Sequence, residues 1–389
     1  MTEARAMRAA LRLRAPLVAL LFATLAVGCS SLASLNPFGP DRPKPKDLEP
    51  IVAPITVREA WRQSVGKVEF PLTIAVNGTT LTMAASDGTV LALEAATGRT
   101  LWRTSVGAAI SAGVGSDGNV SAVVTRDGNL VALEGAKVRW SKALGVRVAT
   151  APLVAGGRIF VLGVDRSVHA FDATDGLKLW QVARPGDALT LQQSGVITAF
   201  KDTLVVGQGP RMAGIDPNTS TLRWEVPLGS PRGANEVERL ADLVGPVVRV
   251  GDLVCARSFQ AAVGCVDAQA GSVAWTKTVG GTDAIAGDAE QLFGADASDR
   301  MTSWKTPTGD IVWTNESLMF RRLGAPAAIA QSVVYGDYDG TLHWFSRSKG
   351  ESQARLATDG SPITVPPVSV GGVVVVVTRG GGVFAFRPA

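Results

Sequence analysis

The sequence predicts an all-β protein, an eight-bladed β-propeller of four-stranded antiparallel blades that is closed by pairing of its N- and C-terminal segments. Three observations lead to this class. The 389 residues include 43 glycines but only 6% aromatic residues, a composition that suits short strands and tight turns. One motif recurs about every 40 residues, the period of a four-stranded blade. A partial copy of that motif precedes the first complete unit.

The recurring motif joins an alternating strand, a tight turn and a strand that contains tryptophan. Its clearest copies are "DGTVLALEAATGRTLW" at 87–102 and "DRSVHAFDATDGLKLW" at 165–180, where Asp-Gly and Thr-Gly pairs mark hairpin turns. The seventh unit has Arg355 where the tryptophan is expected, and the eighth, from Arg379, stops before any tryptophan. We predict structural tryptophans that pack between neighbouring blades at Trp61, Trp102, Trp140, Trp180, Trp224, Trp275 and Trp313.

The partial copy near the N-terminus explains how the eighth unit is completed. "AWRQSVG" at 60–66 matches "LWRTSVG" at 101–107 in five of seven positions, and it has the form of a closing strand. We therefore predict that residues 54–66 form the outermost strand of the last blade and pair with residues 382–387. Such pairing removes two exposed sheet edges.

The N-terminal residues carry targeting signals. Four arginines precede the apolar run 15–28, which is shorter than the roughly 20 residues that a membrane span needs and is typical of a secretory signal. Gly28 before Cys29 resembles a bacterial lipobox, so residues 1–28 are predicted to be a lipoprotein signal peptide and Cys29 the lipidated residue. Ser30, rather than Asp, implies the periplasmic face of the outer membrane. Whether translation starts at Met1 or Met7 stays open.

The rest of the chain divides into a tether and one domain. Residues 29–52 are rich in proline and predict an extended tether, and residues 53–389 predict a single propeller domain. Four of the 38 Lys and Arg residues, against one of the 34 acidic residues, lie in the signal peptide. The rest of the chain is therefore nearly neutral, and nothing in its charge argues for nucleic-acid binding, which needs a clustered basic face.

Cys255 and Cys265 lie on consecutive strands of the fifth unit, and the turn between them decides whether they can bond. A two-residue loop would place them on opposite faces of the sheet, whereas a three-residue loop, 259–261, would make them direct cross-strand partners. The oxidising periplasm permits a disulfide. Both a disulfide and a pair of buried thiols remain open at this point.

The repeat, of the form Asp-Gly-x-apolar-x-Ala-apolar-Asp-x-x-Thr-Gly-x-x-x-Trp, resembles the PQQ-like propeller repeat. With the lipobox, the tether and eight units, residues 29–389 are similar to the BamB family, the lipoprotein subunit of the outer-membrane β-barrel assembly machinery. The insertion "EVERLADLVGPVV" at 236–248 resembles a segment of that family, with matches at Arg239, Leu240, Asp242 and Pro246 and a departure at Val244.

The resemblance implies a non-enzymatic scaffold that binds the periplasmic POTRA domains of BamA, within the assembly complex, and assists folding and insertion of outer-membrane proteins. Direct binding of nascent outer-membrane proteins is left open. The loops at 187–195 and 233–245 correspond to docking loops of the family, with Gln192 where the family tends to have Arg. The first loop is expected to expose Leu189 and Leu191 in alternation with polar residues. Alternatively, Leu189 and Leu191 only fill the groove between blades. The residues implied to bind the partner are Leu189, Leu191, Gln192, Arg239, Leu240 and Asp242.

Two other classes of function share this fold. Quinoprotein dehydrogenases also use the repeat, but a PQQ site requires a metal, a catalytic carboxylate and usually adjacent cysteines. This chain has no adjacent cysteines, and its repeats leave little room for the long insertions that such enzymes carry. His169 and His343 are the only histidines and are predicted to pack within strands, so no catalytic residue, cofactor or metal site is predicted. A carbohydrate- or peptidoglycan-binding propeller remains an alternative, although it would favour exposed aromatic clusters and only two tyrosines are present.

Overall fold

A computed structural model describes residues 43–183, 189–231 and 233–388. The predicted signal peptide, Cys29 and most of the tether lie outside these residues, as does the start of the predicted docking loop at 187–188. By its internal contacts the chain divides after Lys44, and the second unit begins at Pro45. Within the described ranges, no helix has the length and apolar character needed to cross a bilayer.

The second unit contains eight antiparallel sheets of four strands, called blades 1 to 8, which confirms the predicted fold class. Blades 1 to 4 are formed in chain order by β2 (Ala75–Asn77), β3 (Thr80–Ala84), β4 (Thr89–Glu94), β5 (Thr100–Ser105); β6 (Ile110–Ser116), β7 (Val120–Thr125), β8 (Asn129–Glu134), β9 (Lys137–Ala143); β10 (Leu153–Ala155), β11 (Arg158–Leu162), β12 (Val168–Asp172), β13 (Lys178–Val182); and β14 (Ile197–Phe200), β15 (Thr203–Gln208), β16 (Arg211–Ile215), β17 (Leu222–Pro227). Blades 5 to 7 are formed by β18 (Leu243–Val250), β19 (Leu253–Ser258), β20 (Ala262–Asp267), β21 (Ser272–Lys277); β22 (Ala286–Gly287), β23 (Gln291–Ala295), β24 (Met301–Lys305), β25 (Ile311–Asn315); and β26 (Ala327–Ile329), β27 (Ser332–Gly336), β28 (Thr341–Ser346), β29 (Ser352–Ala357). Blade 8 is formed by β30 (Val368–Val370), β31 (Val373–Val377), β32 (Gly382–Pro388) and β1 (Val57–Ser64).

Blade 8 is closed by the N-terminal strand, as the sequence predicts. β1 pairs antiparallel with β32, from Val57 opposite Pro388 to Ser64 opposite Gly382. The strand is shorter than the predicted 54–66, because the pairing starts where β32 ends at Pro388. The last blade therefore contains both ends of the propeller, and the ring has no open blade.

The middle strands of each blade form the core. All five valines of β31 have no exposed surface, although an alternating strand of a one-sided sheet would expose every second residue. Both faces are covered because each blade packs face to face between two neighbours. The fourth strands show the opposite pattern, and Trp140 is the one buried residue of β9. First strands of successive blades lie beside one another around the centre of the ring.

Six of the seven blade tryptophans dock onto the turn that joins the third and fourth strands of the next blade; the exception is Trp102, since a Cβ on Gly135 in the turn of blade 2 would meet nothing within 4 Å. Trp275 Nε1 donates to Thr306 O at 2.7 Å, and Trp140 Nε1 donates to Ala173 O at 3.1 Å. A glycine in the turn allows this approach, because a Cβ on Gly309 would lie 2.5 Å from the Trp275 ring. The same ring-to-glycine contact joins Trp61 to Gly98, Trp140 to Gly176, Trp224 to Gly271 and Trp313 to Gly350.

Blade 7 departs from this arrangement, and the prediction that Arg355 occupies its tryptophan position is wrong by one residue. In the first six blades the tryptophan stands opposite a small residue, as Trp313 stands opposite Ser303, and in blades 1, 3, 5 and 6 it follows the turn glycine by four residues. In blade 7 that position is Ala354, not Arg355, and Ala354 lies opposite Trp344. A bulge follows this pair as it follows the tryptophan pair of the other blades, such as blade 6, so blade 7 keeps the common register and a count of four residues from Gly350 gives Ala354. The large and small partners have thus exchanged strands.

The fifth blade contains a disulfide. β19 and β20 are joined by the three-residue loop 259–261, in which Gln260 has a φ of 52°. Cys255 is consequently paired directly with Cys265, with Cα atoms 4.0 Å apart and the sulfur atoms bonded. Of the two turns that the sequence leaves open, the longer one is formed, and both cysteines are fully buried.

Candidate partner-binding surface

The two predicted docking loops meet at the carboxylate of Asp242. Leu191 N donates to Asp242 Oδ2 at 3.0 Å, and Arg166 Nη2 donates to Asp242 Oδ1 at 3.1 Å. The Asp242 side chain is only 16% exposed. The structure thus brings 189–195 and 233–245 together as one feature, called here the loop surface, and places Asp242 beneath it as the residue that joins them.

Close backbone packing reinforces this junction. Gly245 N donates to Ser194 O at 2.9 Å, and Thr150 Oγ1 accepts a bond from Gly195 N at 2.8 Å. A Cβ on Gly245 would lie 2.2 Å from Gly195 O, so a larger residue would separate the loops. The loop surface is therefore fixed to the frame of blades 3 to 5.

The predicted apolar contacts are less exposed than expected. Leu189, Leu191 and Leu240 are half-buried, and Leu191 packs against Val244 and the neighbouring small cluster of Ala284, Ala325 and Phe259. The expectation that Leu189 and Leu191 stand exposed is wrong in degree, because Asp242 draws the backbone of Leu191 toward blade 5. Leu191 also fills part of the groove between blades, which was the alternative role.

The tip of the insertion is an ordered turn that carries the exposed charges. Asn235 Oδ1 accepts a bond from Glu238 N at 2.9 Å, and Glu238 Oε2 accepts one from Ala234 N at 2.7 Å, a pattern close to a capping box. Arg239 is exposed beside it. Val237 is 68% exposed at this tip, so it is the apolar residue that sequence reasoning missed; its position between two glutamates was the available signal.

A cleft with positive charge adjoins the loop surface. Exposed Gln192 lines it together with Phe70, Arg126 and Arg147. Arg126 is half exposed and lies 3.8 Å from Glu69, a distance that leaves it weakly paired. Apolar side chains bordered by charges of both signs are typical of a protein–protein interface of moderate size.

The two histidines lie within the third strands of their blades, His169 in β12 and His343 in β28. His169 Nε2 lies 2.8 Å from Ser167 Oγ, and His343 Nε2 lies 3.0 Å from Asp337 Oδ2. Burial lowers the pKa of both imidazoles, and each is 1% exposed. In the part of the chain that the structure describes, no three His, Cys, Asp or Glu side chains are grouped to hold a metal ion.

Comparison with known proteins agrees with the fold. A family model described as "Outer membrane protein assembly factor BamB" matches residues 86–315. Proteins of that name are similar to this chain in Burkholderia pseudomallei, 34% identical over 88% of this chain and 93% of the relative, and in Bordetella pertussis, 33% identical over 92% and 93%.

Solved structures show the same architecture. The crystal structure of BamB from Moraxella catarrhalis covers 85% of this chain and 100% of that chain at a TM-score of 0.77 and 21% identity. A quinohemoprotein alcohol dehydrogenase from Comamonas testosteroni covers 85% and 76% at a TM-score of 0.64 and 15% identity. Both likenesses concern the fold alone. From the family model and the two relatives, the chain belongs to the BamB family of outer membrane protein assembly factors.

Proposed function

We propose that this chain is a lipid-anchored, non-enzymatic scaffold at the periplasmic face of the outer membrane. It binds the POTRA domains of BamA through the loop surface and acts within the assembly complex to assist folding and insertion of outer-membrane β-barrel proteins. Membership of the BamB family supports the assembly role. The likeness to alcohol dehydrogenases gives no support for catalysis, since one propeller hosts unrelated functions.

The observation that carries this proposal is the junction at Asp242. A loop that must be ordered on binding costs conformational entropy, and a loop that is already held does not. Asp242 fixes the backbone of Leu191 and pairs with Arg166 on blade 3, so the half-buried leucines and the tip at Val237 are presented in one arrangement. The partner then meets a preformed surface on a rigid frame.

A lipid anchor at Cys29 would strengthen such binding without any further contact. An anchor confines the propeller to the membrane that also holds the barrel-forming partner. Binding of the partner then becomes effectively intramolecular, which raises the effective concentration. A surface of moderate affinity is therefore sufficient for a stable assembly.

The test is the affinity of the mature protein for a purified POTRA fragment of BamA. Changing Leu189 and Leu191 together to Ala should weaken binding by about 2 kcal/mol, roughly thirtyfold in Kd, if these are central anchors. Leu177 and Leu179 offer a matched control, because they have the same spacing and are 62% and 40% exposed on the rim of blade 3. Their double Ala variant should bind within twofold of wild type.

Two outcomes contradict the proposed site. Wild-type affinity in the Leu189 and Leu191 variant would show that these two leucines do not anchor the fragment. Loss of binding that accompanies unfolding of the first variant, seen as a large fall in melting temperature, would assign Leu189 and Leu191 to packing alone.

A further inference from the structure

The chain passes along blades 6 and 7 before it enters blade 8 as β1. Lys46 N donates to Met319 O at 2.9 Å, and Leu48 packs against the apolar cluster under blades 6 and 7. Arg321 Nη1 donates to Lys46 O at 3.3 Å, and Arg355 Nη1 donates to Glu49 O at 3.3 Å. Two guanidinium groups, called here the arginine clamp, thus hold the main chain of residues 46–49.

Arg321 of the clamp is held by a buried carboxylate. Arg321 is 9% exposed and donates to Asp337 Oδ2 at 2.9 Å and to Asp339 Oδ2 at 2.7 Å. Burial alone would raise the pKa of fully buried Asp337, but hydrogen bonds from His343, the Thr341 backbone and Arg321 hold it below its ordinary value. The ionised Asp337 therefore holds Arg321 in place, and Arg355 stands directly opposite His343 on the neighbouring strand.

The position of the clamp follows from how the ring closes. Six of the blade tryptophans dock on the turn between the third and fourth strands of the next blade, but blade 8 offers blade 7 no such turn because its fourth strand is β1. In blade 7, Trp344 fills the interior from the third strand, and Ile55 and Val57 of the incoming chain pack against the same cluster. Arg355, next to Ala354, is thereby available to bind main-chain carbonyls of the incoming segment.

We infer that the arginine clamp is a binding site for the chain's own tether, and that it makes blade 7 the edge of the propeller nearest the membrane. This inference rests on the proposed lipidation of Cys29. From Cys29 to Lys46 the chain can extend about 60 Å, whereas to Val57 it could extend about 100 Å, at roughly 3.5 Å per residue. The clamp therefore shortens the free tether by more than a third and fixes the point at which the tether leaves the propeller.

Trypsin tests the clamp directly. Arg42 and Lys44 each precede proline and resist trypsin, so Lys46–Asp47 is the first susceptible bond after Cys29. For purified protein on phosphatidylethanolamine–phosphatidylglycerol vesicles, Arg355→Ala should speed this cleavage about tenfold, since a held segment must open before it is cut. Arg139→Ala, which removes an exposed arginine from the fourth strand of blade 2, is the matched control and should cleave like wild type.

The readouts separate the clamp from the anchor. Mass spectrometry reports the cut at Lys46, and release of the propeller from vesicles reports whether the lipid lies before it. Unchanged cleavage in Arg355→Ala overturns the clamp. Failure of the protein to bind vesicles, with the acceleration still present, overturns the lipid anchor and leaves the clamp standing. If Arg355→Ala melts early, Arg355→Gln replaces it, and cleavage at the wild-type rate in that folded variant also overturns the clamp.

Orientation on the membrane is a second measurement. A dye on Lys349→Cys, in the exposed turn of blade 7, is compared with one on Thr174→Cys, in the exposed turn of blade 3 across the ring. Energy transfer to labelled lipid headgroups should be greater from blade 7, and Arg355→Ala should remove the difference. Equal transfer from both positions in the wild-type background would overturn the membrane-facing assignment.

Discussion

One tryptophan–glycine contact joins blades 8 and 1 where the ring closes. Trp61 on β1 donates through Nε1 to Ala95 O at 2.9 Å, and its ring lies against Gly98 in the turn of blade 1. We predict that Gly98→Ala lowers the free energy of unfolding by about 2–5 kcal/mol. Gly78→Ala should cost only about 1–2 kcal/mol.

These magnitudes follow from two local differences. Gly98 has a φ of 69° and Gly78 a φ of 58°, so alanine at either site is held in the left-handed region at about 1–2 kcal/mol. Only at Gly98 would the new Cβ lie 2.5 Å from Trp61 Cδ2, whereas at Gly78 nothing lies within 4 Å. Overpacking of this kind costs a further 1–3 kcal/mol or so.

A double-mutant cycle isolates the contact. In a Trp61→Ala background the clash is absent, so Gly98→Ala should cost about 1–2 kcal/mol, the same as Gly78→Ala. Denaturant unfolding followed by far-ultraviolet circular dichroism gives the free energies. Equal costs for the two glycine variants in the wild-type background, or no coupling between Trp61 and Gly98, would refute this account of closure.

Three further outcomes are expected. Cys29→Ser should abolish fatty-acid labelling and release folded protein into the periplasm; a labelled variant would contradict the lipidation site. Replacing Cys255 and Cys265 by Ala should lower stability by about 2–3 kcal/mol, since the bond closes a loop between residues that are 10 apart; an unchanged denaturation midpoint would contradict this. Burial lowers the pKa of His343, so the unfolded chain binds more protons below its ordinary pKa of about 6.5 and stability falls as pH drops from 7 to 5.5. His343→Gln should flatten that slope, and an identical slope in the variant would contradict the assignment.

The blade count, the closing strand and the fold could be predicted because each follows from a short sequence motif that repeats along the chain. Asp-Gly and Thr-Gly turns and the alternating strands repeat about every 40 residues, and the copy at 60–66 shows where the missing strand lies. The Trp344–Ala354 exchange was missed because the seventh unit has no tryptophan on its fourth strand to mark the register, although the spacing of four residues from Gly350 points to Ala354.

The binding surface was predictable only as two separate loops. The insertion stands out by length, but the pairing of Arg166 with Asp242 joins residues on different blades that share no sequence pattern. Val237 is exposed in the turn capped by Asn235, whereas Leu243 is buried where β18 begins. Tertiary contacts of this kind decide which side of a loop faces solvent.

The most direct test of the scaffold is site-specific photocrosslinking in cells. A photoreactive phenylalanine analogue at Val237, 68% exposed on the loop surface, is compared with one at Ile311, 60% exposed on the fourth strand of blade 6. The proposal predicts a crosslink to BamA from position 237 and none from position 311. A crosslink to BamA from position 311 with none from position 237 would contradict it.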